Sequence, residues 1–126
     1  MAAITATPRG GFSPGGAIIQ YYGTSASNQA DTLSSTAVPA GAAQKLLYVT
    51  CKYDAAPTQA GVTVTLDSGI SALYDTLLNT GTANAQNTAY IPDGDVWLTN
   101  GDAIIVAAPA GGAGAEASIV IALLQV

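Results

Sequence analysis

The chain has 126 residues, of which 49% are hydrophobic and 9% are charged, and its formal net charge is −5. A soluble domain carries about 25% charged residues, so we expect other subunits to cover much of the surface of this protein. The three cations (Arg9, Lys45 and Lys52) are too few to track a nucleic-acid backbone. The lack of histidine and the single cysteine exclude Ser-His-Asp and Cys-His catalysis, an internal disulfide and a paired-cysteine metal site.

Residues 1–16 predict an arm that precedes a single β-sandwich domain of residues 17–126. The stretch TPRGGFSPGG, residues 7–16, contains two prolines and four glycines, a composition that helices and central strands do not tolerate. The arm is either a flexible terminus or an extended segment that docks on a neighbouring molecule. In the second interpretation, Phe12 is the anchor and Arg9 is the charge partner.

The N-terminus shows no charged segment followed by an apolar core, so no signal peptide is predicted. The longest strongly apolar run, residues 119–124, is too short to cross a bilayer. We therefore expect a protein that is made in the cytoplasm and does not bind a membrane.

Alternating apolar residues and turn signals predict a series of short strands after the arm. The longest run is QKLLYVTCKY, residues 44–53, and its parity places Cys51 on the face of Leu47 and Val49 as a small buried hydrophobe. The other strands and turns predicted in this half are IIQYY (18–22), the VPAG turn (38–41) and VTVTLD (62–67).

Residues 71–79 have two interpretations. Leu73 and Leu77 are four residues apart, which suits a short helix capped by Ser71. A lone helical turn among strands is the less economical of the two, so a strand is preferred.

The second half of the chain contains the clearest hairpin signal. Asn100-Gly101 lies between VWL (96–98) and AIIVA (103–107), and this pair favours a type I′ turn because both central residues need a positive φ. Trp97 lies within the first of these runs, where packing in the core or against a subunit is preferred.

The last predicted strand is SIVIALLQV, residues 118–126, which is apolar on both faces. Such a strand is either central in a sandwich or pressed against a second subunit. For the second case, the candidate subunit-interface residues are Val120, Ile121, Leu123 and Leu124.

In total, about seven or eight short strands with turns at this spacing predict an all-β fold. The expected architecture is an antiparallel β-sandwich of jelly-roll type with an extended N-terminal arm.

Three acidic residues, Asp93, Asp95 and Asp102, lie around two glycine turns and are the candidate cation ligands. A role in the turns is preferred, because Asp-Gly and Gly-Asp are ordinary turn pairs and the spacing is not that of an EF-hand.

A glycosidase needs two carboxylates beside a cleft, one of them in an apolar setting, and only Asp75, next to Tyr74, approaches that description. We therefore expect no metal, no cofactor and no enzymatic activity.

The succession VPAG, QKLLYVTCKY, VTVTLDSG, YIPDGDVWLTNGDAIIVAAPAGG and SIVIALLQV, within residues 30–126, resembles small jelly-roll virion proteins of tailed bacteriophages, most of all capsid decoration (cement) proteins. The resemblance is one of pattern, so no functional residue is carried over from the family. It implies a homotrimer on the outer capsid surface of a phage virion, synthesised in the bacterial host cytoplasm. Such a protein stabilises the capsid by binding the major capsid protein across capsomer seams. The alternative is a small trimeric tail or fibre protein that contacts a host receptor or glycan.

Overall fold

Two β-sheets pack face to face and form an antiparallel β-sandwich of jelly-roll type. A computed structural model of the chain describes residues 2–4, 7–13 and 16–126, with side chains from residue 17 onward. The strands are β1 (Ala2–Ile4), β2 (Thr7–Ser13), β3 (Gly16–Thr24), β4 (Asp31–Ser34), β5 (Gln44–Tyr53), β6 (Thr63–Asp67), β7 (Thr76–Thr80), β8 (Asn87–Tyr90), β9 (Trp97–Leu98), β10 (Ala103–Ala108) and β11 (Ala117–Gln125).

Sheet A has the strand order β1-β4-β10-β6-β7, and sheet B has the order β2-β3-β11-β5-β8. The short strand β9 also belongs to sheet B and pairs with the start of β5. Neighbouring strands are antiparallel except β1 and β4, which are parallel. The predicted final strand, β11, therefore lies in the interior of sheet B, as one of its two interpretations required.

The core lies between the sheets and is built from alternate residues of their central strands. Fully burying a large aliphatic side chain stabilises the fold by about 1.5–3 kcal/mol. Inward-facing side chains of β10 and β11 are fully shielded from solvent, namely Ile104, Val106, Ala108, Ile119, Ile121 and Leu123.

The outer face of β11 is also partly covered, because a hydrogen bond between two long side chains spans it. Ala122 pairs with Gln20 on one neighbouring strand and with Tyr48 on the other. The Nε2 of Gln20 donates to the Tyr48 hydroxyl at 2.5 Å, and the small Ala122 between them is fully buried. An alanine at this position therefore fits the bridge above it.

A β-bulge changes which residues of β5 share the core-facing side. The pairing of β5 with β11 shifts register after Ala122, which leaves Leu47 as the extra residue. Val49 and Cys51 are buried as predicted. The predicted position of Leu47 on their face is wrong, since the bulge reverses the alternation and Leu46 takes that place.

Residues 71–79 combine the two sequence interpretations. Ser71 caps a single 3-10 turn, Ala72–Tyr74, and its hydroxyl accepts a hydrogen bond from the Leu73 amide at 3.0 Å. Strand β7 begins immediately afterwards at Thr76. The preferred strand is thus confirmed from Thr76 onward and is wrong before it.

The predicted hairpin at Asn100-Gly101 is wrong. Strand β9 pairs with β5 in sheet B, whereas β10 pairs with β4 and β6 in sheet A, so the turn crosses between the sheets. Only Gly101 of this pair has a positive φ, 84°, and the Asp102 amide donates to the Thr99 carbonyl at 2.8 Å. One positive φ is what a type II turn requires, so the Asn-Gly pair marks a turn without forming a hairpin.

Parts of the predicted arm, residues 1–16, have extended backbone that pairs with the same chain. Strand β2 pairs with β3, with Arg9 opposite Gln20 and Phe12 opposite Ala17, and β1 pairs with β4. The proline and glycines of β2 suit an edge position, where one side of the backbone needs no partner strand. The side chains of Arg9 and Phe12 lie outside the described residues.

Candidate interaction surface

The loops of the sandwich gather at two ends. At one end, Asp67 of β6 pairs with Ala103 of β10, and at the other, Tyr53 of β5 pairs with Ala117 of β11. We name the first the apolar end; it comprises loops 35–43, 68–75 and 91–102 and residue 126. We name the second the polar end; it comprises loops 25–30, 54–62, 81–86 and 109–116.

Large apolar side chains are strongly exposed at the apolar end. Six of them lie in its loops or at the end of the chain, and the seventh, Leu77, lies near the start of β7, which begins there. Among the described side chains, no large apolar one is comparably exposed at the polar end. Several large exposed apolar side chains at one end of a fold favour an interaction surface there. The seven residues are Ile70, Leu73, Tyr74, Leu77, Ile91, Trp97 and Val126.

Asp102 fixes the segment 68–75, which presents three of these side chains. One of its carboxylate oxygens accepts a hydrogen bond from the Gly69 amide at 2.8 Å, and the other accepts one from the Thr99 amide at 3.0 Å. Gly69 also lies directly against Gly101, because a Cβ on Gly69 would come within 2.5 Å of that backbone. The segment is therefore attached to the turn that connects the two sheets.

Two further contacts within the segment shape the loop itself. The Asp75 carboxylate accepts a hydrogen bond from the Ser68 amide at 2.8 Å, which closes the loop at its base, and Ser71 caps the 3-10 turn. Leu73, at the centre of that turn, is 91% exposed. A loop whose backbone is already fixed by hydrogen bonds loses less conformational entropy when it binds.

The apolar end also carries most of the acidic residues. The one lysine there, Lys45, forms an ion pair with Asp95 at 2.8 Å, and both partners are partly exposed, so the pair contributes little stability. The remaining charge at this end is negative. The carboxylates are Asp67, Asp75, Asp93, Asp95 and Asp102.

The three candidate cation ligands have separate partners or positions. Asp102 accepts backbone hydrogen bonds, Asp95 pairs with Lys45, and Asp93 is exposed in the loop. Within residues 17–126, no group of three or more acidic or cysteine side chains is arranged to hold a metal ion. The geometry gives Asp102 the turn role that the sequence favoured.

The residues predicted for a subunit interface lie on opposite faces of β11. Val120 and Leu124 are half-buried on the outer face of sheet B. Ile121 and Leu123 are fully buried between the sheets of the same chain, so the prediction of an interface role for these two is corrected. The strict alternation of a strand separates the two pairs.

Trp97 does not pack in the core of this chain. Its side chain is 46% exposed, while the next residue, Leu98, is fully buried. Strand β9 pairs with the outermost residues of β5 at the apolar end, which leaves the outward-facing indole without a covering layer. The preference for Trp97 in the core is therefore wrong, and packing against another subunit stays a prediction.

Cys51 and Tyr53 are buried side by side on β5. Burial raises the pKa of the Cys51 thiol from 9.0 to about 12. Burial, and then the neighbouring Cys51, raise the pKa of Tyr53 from 10.0 to about 12. The Tyr53 hydroxyl donates to the Pro109 carbonyl at 2.6 Å. Both groups stay protonated near neutral pH, and neither is a nucleophile there.

A polar cleft of about 250 Å³ lies between the edges of β7 and β8, towards the polar end. Loop 81–86, which borders the cleft, is held by two hydrogen bonds to Gln59. The buried side-chain amide of Gln59 donates to the Ala85 carbonyl at 3.2 Å, and its backbone amide donates to the Asn84 side chain at 2.8 Å. The cleft offers hydroxyl and amide groups without a titratable side chain. It is lined by Asn79, Thr80, Gly81, Thr82, Ala85, Asn87, Thr88 and Ala89.

Sequence reasoning missed the apolar end as a surface. Residues 70–78 carry large apolar side chains at the spacing of an amphipathic helix, namely Ile70, Leu73, Tyr74, Leu77 and Leu78. The structure forms only one 3-10 turn there, followed by β7, so the apolar side chains do not share one buried face and most of them are exposed.

No protein-family model matches the chain, and no curated protein matches it significantly in sequence. Solved structures resemble it in fold. One is PliG of Aeromonas hydrophila, a periplasmic inhibitor of g-type lysozyme, with 11% identity, coverage of 92% of each chain and a TM-score of 0.37. Another is a mutant of the family 29 carbohydrate-binding module CBM29-2 in complex with mannohexaose, with 16% identity, coverage of 94% of this chain and 75% of that one, and a TM-score of 0.40. Likeness at this level extends no further than the β-sandwich architecture.

Among the described residues, no helix has the length and apolar character needed to span a membrane.

Proposed function

We propose that the chain is a structural protein that decorates and stabilises a bacteriophage capsid, and that it has no enzymatic activity. The observation that supports this most is the difference between the two ends of the sandwich: large apolar side chains are exposed at the apolar end, and the loops of the polar end expose none within the described residues. A decoration protein needs such a division, because one end must adhere to the lattice while the other faces solvent.

Adhesion through the apolar end is a matter of buried area. A stable interface buries about 800 Å² on each partner, and each large apolar side chain that becomes fully buried stabilises the contact by about 1.5–3 kcal/mol. Ordering of both surfaces offsets part of this gain. Because a capsid repeats the contact by symmetry, many modest contacts must break together before the shell opens.

Self-association into the expected homotrimer would use a different surface, the outer face of sheet B. Val120 and Leu124 are half-buried there, beside the covered Ala122. A chain with 9% charged residues has little charge with which to keep this face hydrated. The capsid contact and the subunit contact would then occupy separate parts of the molecule.

Two exposed aromatic residues favour the alternative function, a small trimeric tail or fibre protein that contacts a host receptor or glycan. Tyr74 is 62% exposed in segment 68–75, and Trp97 is also exposed at the apolar end. Aromatic rings with one free face are common in recognition surfaces. In this alternative the same end of the sandwich contacts the host instead of the capsid.

The test is binding of the purified protein to empty heads of the phage that carries this sequence and, separately, to host cells. Bound copies are counted after sedimentation, and the heat resistance of the heads is measured with and without the protein. Decoration predicts saturable binding at a fixed number of copies per head and a higher temperature of head disruption. Binding to cells alone would support the tail or fibre function, and binding to neither would contradict both.

A further inference from the structure

We infer that the partner of the apolar end is a different protein whose contact surface combines apolar side chains with lysine or arginine, and not a second copy of this chain. The inference rests on the proposed docking function and adds the chemistry of the surface that is bound. It follows from the charges that share the end with the exposed apolar residues.

The apolar end has negative charge that its own cation does not neutralise. It holds five of the eight acidic residues and a single lysine. That lysine, Lys45, is paired with Asp95. The carboxylates of Asp75 and Asp93 belong to exposed residues of the two loops that bear most of the exposed apolar side chains. An interface core is usually apolar and its rim polar, so these carboxylates are suited to rim contacts.

A second copy docked through the same end would place like charges together. In a symmetric dimer each patch meets itself, so the carboxylates of both copies would approach each other as the apolar side chains are buried. Like charges brought together across an interface oppose association. The apolar end therefore disfavours self-pairing even though its apolar area would favour it.

The polar end of a second copy offers no better complement. Its charged groups include Asp54 and Glu116, and Lys52 at the end of β5 is the other lysine among the described side chains. It also lacks exposed large apolar side chains within the described residues. Neither end of a second copy, within the described side chains, therefore complements the apolar end, which favours another protein that supplies both apolar area and cations.

The experiment compares two charge reversals that change the net charge equally at opposite ends. Asp93→Lys alters an exposed residue of the apolar end, and Glu116→Lys alters an exposed residue of the polar end. Binding of wild type and of both variants to empty phage heads is measured at low and high salt, and the solution mass of each, together with Leu73→Ser, is measured by light scattering.

We expect Asp93→Lys to weaken head binding about fivefold or more at low salt, with a smaller loss at high salt, because charge contacts at an interface rim are screened by ions. Glu116→Lys should bind like wild type, and Leu73→Ser should leave the solution mass unchanged. Equal binding of both charge variants, with wild type still bound, would overturn the partner chemistry and leave decoration standing. A lower solution mass for Leu73→Ser would overturn the inference of a different partner protein, because it would show that a second copy of this chain binds the apolar end. Failure of wild type to bind heads would overturn the decoration function itself.

Discussion

The Asp102 carboxylate accepts a hydrogen bond from the Gly69 amide at 2.8 Å across 33 residues of sequence. Its second oxygen accepts one from Thr99 at 3.0 Å. A single side chain thus connects the loop that exposes Ile70, Leu73 and Tyr74 to the turn between the sheets. Because these three side chains are exposed, backbone contacts such as this one fix the loop that carries them.

Replacement of Asp102 by alanine should loosen segment 68–75 while the sandwich stays folded. Two backbone amides lose their acceptor, and a lost hydrogen bond to a charged group costs about 1.5–3 kcal/mol, less where water replaces it. Hydrogen exchange should therefore accelerate in 68–75 and not in β11. Asp93→Ala, which removes an exposed carboxylate of the same end, is the control. Equal exchange in both variants would show that Asp102 does not hold the loop.

Gly69→Ala should destabilise the protein by about 2 kcal/mol, in the range of overpacked sites. An added Cβ would lie 2.5 Å from the Asn100 carbonyl oxygen and from the Gly101 carbonyl carbon, both of them backbone atoms. Gly94→Ala is the matched control, because no atom lies within 4 Å of its Cβ. Urea denaturation of both variants measures the difference, and equal midpoints would contradict the close approach of the two turns.

Cys51 should make the protein less stable at alkaline pH. Its pKa in the folded state, about 12, is above its ordinary value of 9.0, so its contribution is complete below pH 9 and is lost as the pH rises towards 12. Between about pH 8 and 10.5, the urea midpoint of wild type should fall more steeply than that of Cys51→Ala, because the variant lacks the thiol and also its smaller effect on the pKa of Tyr53. Parallel curves would show that the thiol is not buried in this way.

Val120→Asp and Ile121→Asp should have different outcomes. Ile121 is fully buried, and an unpaired carboxylate there costs several kcal/mol, so this variant should not fold. Val120 lies half-buried on the outer face, so its variant should fold and, if this face joins subunits, have a lower mass in light scattering. Circular dichroism reports the folding of each. A folded Ile121→Asp would contradict the core position, and an unchanged mass for Val120→Asp would exclude it from the subunit contact.

Much of the fold follows from local pattern. The alternation in β6 and the apolar run of β11 predict the strands that lie in the sheets. Which strands pair is a long-range property. For this reason the Asn100-Gly101 pair predicts a hairpin, although in the structure it joins two sheets. The position of Leu47 depends on a bulge that only the pairing of β5 with β11 reveals.

The candidate surface was harder to predict than the core. An exposed leucine and a buried leucine look alike in a sequence, and Leu73 is exposed because Ser71 and Asp75 shape the loop around it. The sequence predicts a turn role for Asp102 but not its contact with Gly69, which is 33 residues away. Trp97 illustrates the same difficulty, since a two-residue edge strand leaves it uncovered.

Binding of Leu73→Ser to phage heads tests the central claim most directly. Leu73 is 91% exposed, so the change should alter the free energy of unfolding by less than about 0.5 kcal/mol. It removes an apolar contact from the apolar end. Ala113→Ser, in an exposed loop of the polar end, is the control. The account predicts about tenfold weaker binding for Leu73→Ser, as expected for the loss of about 1.4 kcal/mol, and unchanged binding for Ala113→Ser. Wild-type affinity for Leu73→Ser, or an equal loss in both variants, would contradict the apolar end as the surface that binds.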